Sequence, residues 1–496
     1  MDCFSTLLLI LSLILVSFFF GTWNENYWLK RNIPFIQSEI FFGNIRDVVT
    51  MKKTIGQVYS CIYKKLDKKP LGGFFKLQQP IIMIKHPDLI KEVFVDKFEF
   101  FNSNDIQVRR DTNPILKMNP LLSSGATWRA LKSVLTPLTE VKTLEGMFTI
   151  VKATSQNMVE YIDNNNILPI ECKQLSSRYI LNVIASCALG LESNVFKDAD
   201  NKFSEMSSKI FKYDSRSNIA LLLALYAPSL AKLFTYRIIP PRVSNYFISL
   251  ISEKCRYRVK ESVHRNDFLQ HLININKESE ASGEGTVYNY DKITAHCLTI
   301  LINGYFMTVS PFYYCLFEIA SKENVQADLR KELKTNNIND QFSLESLNKL
   351  IYLDMVLNET LRLHSPIQVI TRRCTKDTVL NHDGLDYKIK AGTPVTIPIC
   401  AIHTDPKLYF NPNDFIPERF KKENEGFTYL PFGKGPRKCP GAQFAKLILK
   451  VALVSIMLKF RIELRDPFME LKQDPKCSLL KSAKGDVLLK FKLDPL

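Results

Sequence analysis

Residues 432–441 read FGKGPRKCPG, and the run AQFAKLILKVALVSIML follows at once. Gly433 and Gly435 permit a tight turn or a close backbone approach. Arg437 brings a fixed charge with fork-like donors. Pro440 suits a first helical turn, and Gly441 withholds a side chain where something large can lie against the backbone. The apolar spacing after Gly441 predicts a helix. Cys439 therefore stands at a helix N-terminus beside Arg437 and Lys438, and both effects are expected to lower a thiol pKa. Two readings stay open on these grounds: a reactive thiolate, or a structural thiol buried where loop meets helix.

Working outward, Leu350, Leu353, Leu357 and Leu361 recur at helical spacing, which predicts an amphipathic helix ended by Pro366. Glu359 and Arg362 share one face of it, and taken alone they read as an exposed ion pair of little energetic value. The stretch Ala295–Ala320 has Glu318 as its only acid. By length it could span a membrane, but it reads better as a helix running through a core, with Pro311 loosening one turn. The polar run Asn276–Asp291, NKESEASGEGTVYNYD, predicts an exposed loop. Short β-like runs occur at Ile81–Ile84 and Thr393–Ile397. Periodicity alone gives a helix-rich chain.

The chain has 496 residues, 46% of them apolar and 23% charged, which excludes a disordered or fibrous protein. Its 66 basic against 50 acidic side chains give +16, a balance that favours acidic partners or anionic membrane. No zinc-finger spacing, leucine-zipper heptad or RNA-binding aromatic motif supports nucleic acid. The 11 cysteines are irregularly spaced, with no C-x-x-C, so reduced thiols are expected. The seven histidines show no zinc spacing.

Leu7–Phe20 reads LLLILSLILVSFFF. Asp2 precedes it, no small-residue cleavage site follows, and Phe18, Phe19, Phe20, Trp23 and Tyr27 crowd its exit ahead of Lys30 and Arg31. An uncleaved signal anchor over residues 1–22 is expected rather than a cleaved leader, with residues 23–496 facing the cytosol.

Phe432, Gly435, Arg437, Cys439 and Gly441 match F-x-x-G-x-R-x-C-x-G without substitution. This resembles the haem-ligand loop of the cytochrome P-450 family. The likeness extends to ETLRLHSP, with Glu359 and Arg362 as the E-x-x-R pair, and to PERF, residues 417–420, as the meander motif. It covers essentially the whole chain and looks closest to microsomal insect detoxification enzymes. The resemblance implies a mainly α fold with small β-sheets after one N-terminal membrane helix. It implies haem b with Cys439 as the thiolate ligand of iron, a ligand that pushes electron density to the metal. Glu359, Arg362 and Arg419 become a buried network supporting the loop. Trp128, Arg129 and Lys132 in ATWRALKSVLTP, Arg372 in VITRRCTKD, His403 in AIHTDP, Phe432, Arg437 and Gly441 become cofactor-binding residues. Lys132 stands where the family often has arginine, so it offers charge without the bidentate fork. The implied partners are an NADPH-dependent flavoprotein reductase, cytochrome b5 as a further donor, the endoplasmic reticulum membrane and a lipophilic substrate. Lys434, Lys438, Arg129 and Lys132 would form the positive face for an acidic reductase.

One motif departs from the pattern. Where the family reads A-G-x-[D/E]-T, the aligned residues are Asn303, Gly304, Tyr305, Phe306 and Met307. Gly304 is kept and leaves room over the haem. The acid and the threonine that relay protons are replaced, and Thr308 is one residue late, about 100° around a helix. Three functions follow: a monooxygenase relaying protons through water, Asn303 or Thr308; an oxygen-independent isomerase or dehydratase acting on peroxides; or a weakly catalytic haem protein that binds ligands.

Overall fold

A computed structural model describes residues 26–496 apart from 107–112, 137–139, 199–200, 212–222, 224–225, 227–236, 284, 423–425 and 478–479. The anchor run Leu7–Phe20 lies outside the described residues. The principal helices are α1 Ile55–Lys65, α2 Gly125–Val134, α3 Val141–Asn165, α4 Cys172–Leu189, α5 Lys202–Phe211, α6 Pro241–Lys260, α7 Phe268–Ala281, α8 Tyr290–Ser321, α9 Glu323–Thr335, α10 Ile351–Leu363 and α11 Ala442–Lys459. The strands are β1 Leu71–Lys76, β2 Gln79–Ile84, β3 Ile170–Glu171, β4 Ile370–Arg373, β5 Thr378–His382, β6 Leu385–Ile389, β7 Pro394–Ile397, β8 Phe460–Leu464 and β9 Leu488–Leu493. They form a four-stranded sheet ordered β1-β2-β7-β4, a three-stranded sheet β3-β9-β8, and the hairpin β5-β6. The fold is mainly α with small β-sheets, as the resemblance implied.

Local chemistry explains the helix starts. Thr54 and Gln57 close a reciprocal capping box at α1, each side chain holding the other's backbone N–H. Asp267 accepts from Gln270 N at α7, and Asn289 from Lys292 N at α8. The polar run expected as a loop over 276–291 is shorter than that. α7 continues to Ala281, because Lys277, Glu278, Glu280 and Ala281 are good helix formers. Asn276 closes what remains, donating to Tyr288 O at 2.8 Å and accepting from Tyr288 N at 2.9 Å.

α8 is long and apolar enough to cross a membrane, yet it runs through the core. Leu298, Leu301, Phe312, Leu316 and Ile319 are buried with side chains of α4, α6, α7, α10 and α11. Such burial accounts for an apolar composition on every face. The helix runs through Pro311 unbroken, so the expected loosening is confined to the hydrogen bond proline cannot make. A second apolar cluster packs Trp28, Phe75, Ile82 and Phe94 with Val395 and Leu430, carrying the four-stranded sheet under the segment that leads to Cys439.

Candidate active site

The cysteine loop is shaped by backbone. Gly433 and Gly435 have φ of +67° and +73°. A Cβ on Gly435 would lie 2.1 Å from Phe94 O, so this glycine is required both by its conformation and by the close approach. Cys439 N donates to Phe432 O at 2.9 Å, closing the turn, and Gly441 caps α11.

Behind the loop, Glu359 and Arg362 are fully buried. Arg362 Nε and Nη2 donate to Glu359 Oε2 and Oε1 at 2.7 and 2.8 Å. Arg362 also donates to the carbonyls of His403, Pro412 and Asp414. Arg419 Nε reaches Glu359 Oε1 at 3.1 Å, and Ile416 N reaches the same oxygen at 2.8 Å. The exposed-pair reading of Glu359 and Arg362 does not hold, because the segment 410–419 folds over α10 and supplies donors and acceptors. His403 belongs here rather than at the cavity. Its Nδ1 lies 2.9 Å from Arg362 O and its Nε2 accepts from Leu430 N at 2.9 Å, which fixes a neutral ring with the proton on Nδ1. Burial pushes its pKa down to about 3.

Cys439 opens onto a cavity also lined by Trp128, Lys132, Arg372, Phe432, Arg437 and Gly441. From α8 the lining residues are Thr299, Ile300, Asn303, Gly304, Met307, Thr308 and Pro311. This i, i+3, i+4 stripe places Thr308 on the cavity face together with Met307, four residues after Gly304, without any helix deformation. Phe306 packs instead against Phe211, its ring centroid 5.3 Å away. At Gly304 a Cβ would meet Ile184 Cδ1 at 2.9 Å, the movable end of a side chain on α4, so the contact favours glycine without requiring it. Asn303 exchanges reciprocal amide hydrogen bonds with Asn119, at 3.1 and 3.2 Å. Asn119, unforeseen from the sequence, also caps the turn Pro120–Leu122 through Leu121 N, a role that the Asn-Pro step signals.

The thiol pKa is raised, not lowered as expected, with desolvation outweighing the Gly441 N–H. Arg437 donates to Ser123 O and lies over Trp128 at 4.8 Å. Arg129 is absent from the cavity wall and pairs with exposed Glu99 at 2.7 Å. Lys132 Nζ donates to Pro436 O, with its pKa lowered by burial and then by Lys438 and Arg437.

The sequence profile of "Cytochrome P450" matches residues 34–489. The chain belongs to the cytochrome P450 family. Among its relatives, "Cytochrome P450 9e2" of Blattella germanica is 30% identical over 485 residues, covering 91% of each chain. "Cytochrome P450 6A1" of Musca domestica is 29% identical over 461 residues, covering 90% of this chain and 89% of its own. "Cytochrome P450 6a2" of Drosophila melanogaster is 29% identical over 481 residues, covering 93% and 94%. Cytochrome P450 membership makes the chain an enzyme of the haem-thiolate monooxygenase class, with haem iron as cofactor and NADPH supplying electrons through a reductase.

The cavity fits that group. Burial lowers Arg372 to about 9, helped by the charge of Arg437, and lowers Arg437 to about 10. Arg372 donates to Asn104 Oδ1 and Thr371 O, and Arg437 to Ser123 O, so among the described residues neither has a carboxylate in its hydrogen bonds. Arg437 Nε is buried and finds no hydrogen-bond partner among the described residues. One buried and one partly buried guanidinium, neither paired with a carboxylate among the described residues, suit an anionic occupant, which haem propionates would supply. At Gly441 a Cβ would meet nothing within 4 Å, leaving open space over the backbone beside Cys439.

Proposed function

We propose that this cytochrome P450 is a microsomal enzyme that inserts one oxygen atom of O2 into a lipophilic small molecule. Residues 1–22 anchor it in the endoplasmic reticulum, and residues 23–496 form the catalytic domain on the cytosolic side. Haem, ligated by the Cys439 thiolate, supplies the oxygen-activating centre and the electron path. Arg372, Arg437 and Lys132 hold its propionates, with Trp128 beneath the Arg437 guanidinium. Glu359, Arg362 and Arg419 position the loop that carries Cys439. Ile184, Ile300, Met307, Ile367 and Ile370 present an apolar wall, which supports a lipophilic substrate. Lys434, Lys438, Arg129 and Lys132 provide positive charge for an acidic reductase, with cytochrome b5 as a further donor.

The observation that carries this reading is Thr308, a buried residue on the cavity wall beside Met307. Its hydroxyl holds and passes the proton that the missing acid–threonine pair would otherwise deliver, with the Asn303–Asn119 amides steadying the same wall. The second reading, an oxygen-independent isomerase or dehydratase, is favoured by Met307 lining the cavity where the family has its threonine. Haem-loaded protein with reductase and NADPH separates the two. The monooxygenase reading expects product in proportion to NADPH. Thr308→Val should lower product per NADPH several-fold and raise released peroxide, and Met307→Thr should move both the other way. Product formed from an organic peroxide with neither NADPH nor O2, and none with them, would establish the second reading. Cys439→Ala should abolish the thiolate spectrum.

A further inference from the structure

Away from the cavity, two distant parts of the chain bring metal-ligating side chains together. His86 follows β2 and caps the short helix Pro87–Lys91, its Nδ1 accepting from Asp88 N at 3.4 Å. His382 is the last residue of β5 and pairs with Leu385 across the turn Asp383–Gly384. Both turn residues have positive φ, +50° and +74°, the backbone that a two-residue hairpin turn needs. The imidazoles of His86 and His382 lie against each other with centroids 4.1 Å apart, tilted by 47°. Asp88 Oδ2 lies 3.5 Å from His86 Nδ1, and Asp383 Oδ2 lies 3.4 Å from His382 Nε2. One ligand atom from each of His86, Asp88 and His382 falls within 4.8 Å of the others.

We propose that His86, His382 and Asp88, with Asp383 as fourth donor, bind a divalent transition-metal ion of the zinc class. Two imidazole nitrogens and two carboxylates are a donor set zinc takes readily, and its tetrahedral bonds of about 2.0–2.2 Å set ligand atoms about 3.4 Å apart. Ligand atoms that lie within 4.8 Å of one another must close by at most about 1.4 Å to reach that spacing. Asp88 and Asp383 can turn toward the ion, since their side chains are 79% and 86% exposed. His382, 13% exposed, is the fixed member. Magnesium and calcium prefer oxygen donors throughout, so the two imidazoles select against them.

None of these residues lines the Cys439 cavity. The ion instead ties the β5–β6 hairpin to the chain leaving β2. That chain continues into Glu92–Asp96, where Phe94 O touches Gly435 of the cysteine loop. Lys97 Nζ already donates to Val379 O of β5, so the hairpin leans on the same support without metal. The ion thus acts as a clamp on the scaffold beneath the haem loop and takes no part in oxygen chemistry.

The test uses tag-free, haem-loaded full-length protein stripped with chelator, titrated with Zn2+ by calorimetry and assayed for metal after gel filtration. One zinc per chain with a micromolar or tighter dissociation constant is expected. His86→Gln and His382→Ala should each weaken it more than tenfold while the carbon-monoxide spectrum of the haem thiolate stays unchanged. Asp88→Asn and Asp383→Asn, at exposed positions, should weaken it with no effect on folding. A Cys61→Ser variant, which removes an exposed thiol, should bind as wild type does. Absence of stoichiometric zinc, or equal zinc in the His86→Gln/His382→Ala double variant, overturns the proposal.

Discussion

Glu359 is a carboxylate without solvent: its Oε2 accepts from Arg362 Nε, and its Oε1 from Arg362 Nη2, Arg419 Nε and Ile416 N. A buried pair of this kind is a weak source of net stability, but breaking it leaves a charge uncompensated, at a cost of about 3–5 kcal/mol. Glu359→Gln should therefore lower the denaturation midpoint sharply and reduce the fraction of chains showing a thiolate spectrum. The exposed pair Glu345–Lys349 at 2.7 Å is the comparison, and Glu345→Gln should leave the denaturation midpoint almost unmoved. If both variants unfold alike, burial is not what distinguishes them. The spacing of Glu359 and Arg362 was legible in the sequence, but their burial was not. It depends on residues 410–419 arriving from far along the chain. Arg129 shows the same limit: its partner Glu99 stands 30 residues upstream, and nothing in the helix pattern points to it.

At the scale of elements, the cysteine loop and α11 are a turn that only glycine can make, joined to a helix that begins at Gly441. Gly435→Ala would force a Cβ against Phe94 O at a φ of +73°. Left-handed backbone alone costs a side chain about 1–2 kcal/mol, and the overlap adds to it. Folded yield and the thiolate spectrum should fall together. Gly441→Ala separates the two effects, because its φ is −93° and its Cβ would meet no protein atom. Folding should survive there, while haem retention falls. Unimpaired haem binding in Gly441→Ala would remove the argument that this glycine makes room for the group. The loop was read from ten consecutive residues because its geometry is local. The distal wall was harder to read. A one-residue offset seemed to turn Thr308 away, yet positions 300, 303, 304, 307, 308 and 311 form one stripe on α8. A helix face is wide enough to hold adjacent residues at its centre, so both Met307 and Thr308 reach the cavity.

Across the whole molecule, burial has fixed several histidines in their neutral form. His403 is pushed down to about 3, His296 to about 4 and His364 to about 4, each mainly by desolvation. Lys292 adds to the effect at His296. Lys481 adds to it at His364 against the opposing Glu318, whose carboxylate lies 2.7 Å from the ring. In the unfolded chain all three titrate near about 6.5. Below that pH the unfolded state takes up protons that the folded state refuses. The stability these groups contribute is complete above about pH 6.5 and is lost as the pH falls toward about 4. Three such groups give a slope approaching roughly 4 kcal/mol per pH unit. Urea midpoints of the haem-loaded protein at pH 7.5, 6.0 and 5.0 should fall steeply across the last two. His403→Asn should remove about a third of that slope, because its Nε2 contact with Leu430 N and its Nδ1 contact with Arg362 O no longer involve a titrating ring. A profile unchanged from pH 7.5 to 5.0 would mean these rings take up protons as readily in the folded protein as in the unfolded chain. The neutral His403 that joins Arg362 to the approach of the cysteine loop would then be incorrect.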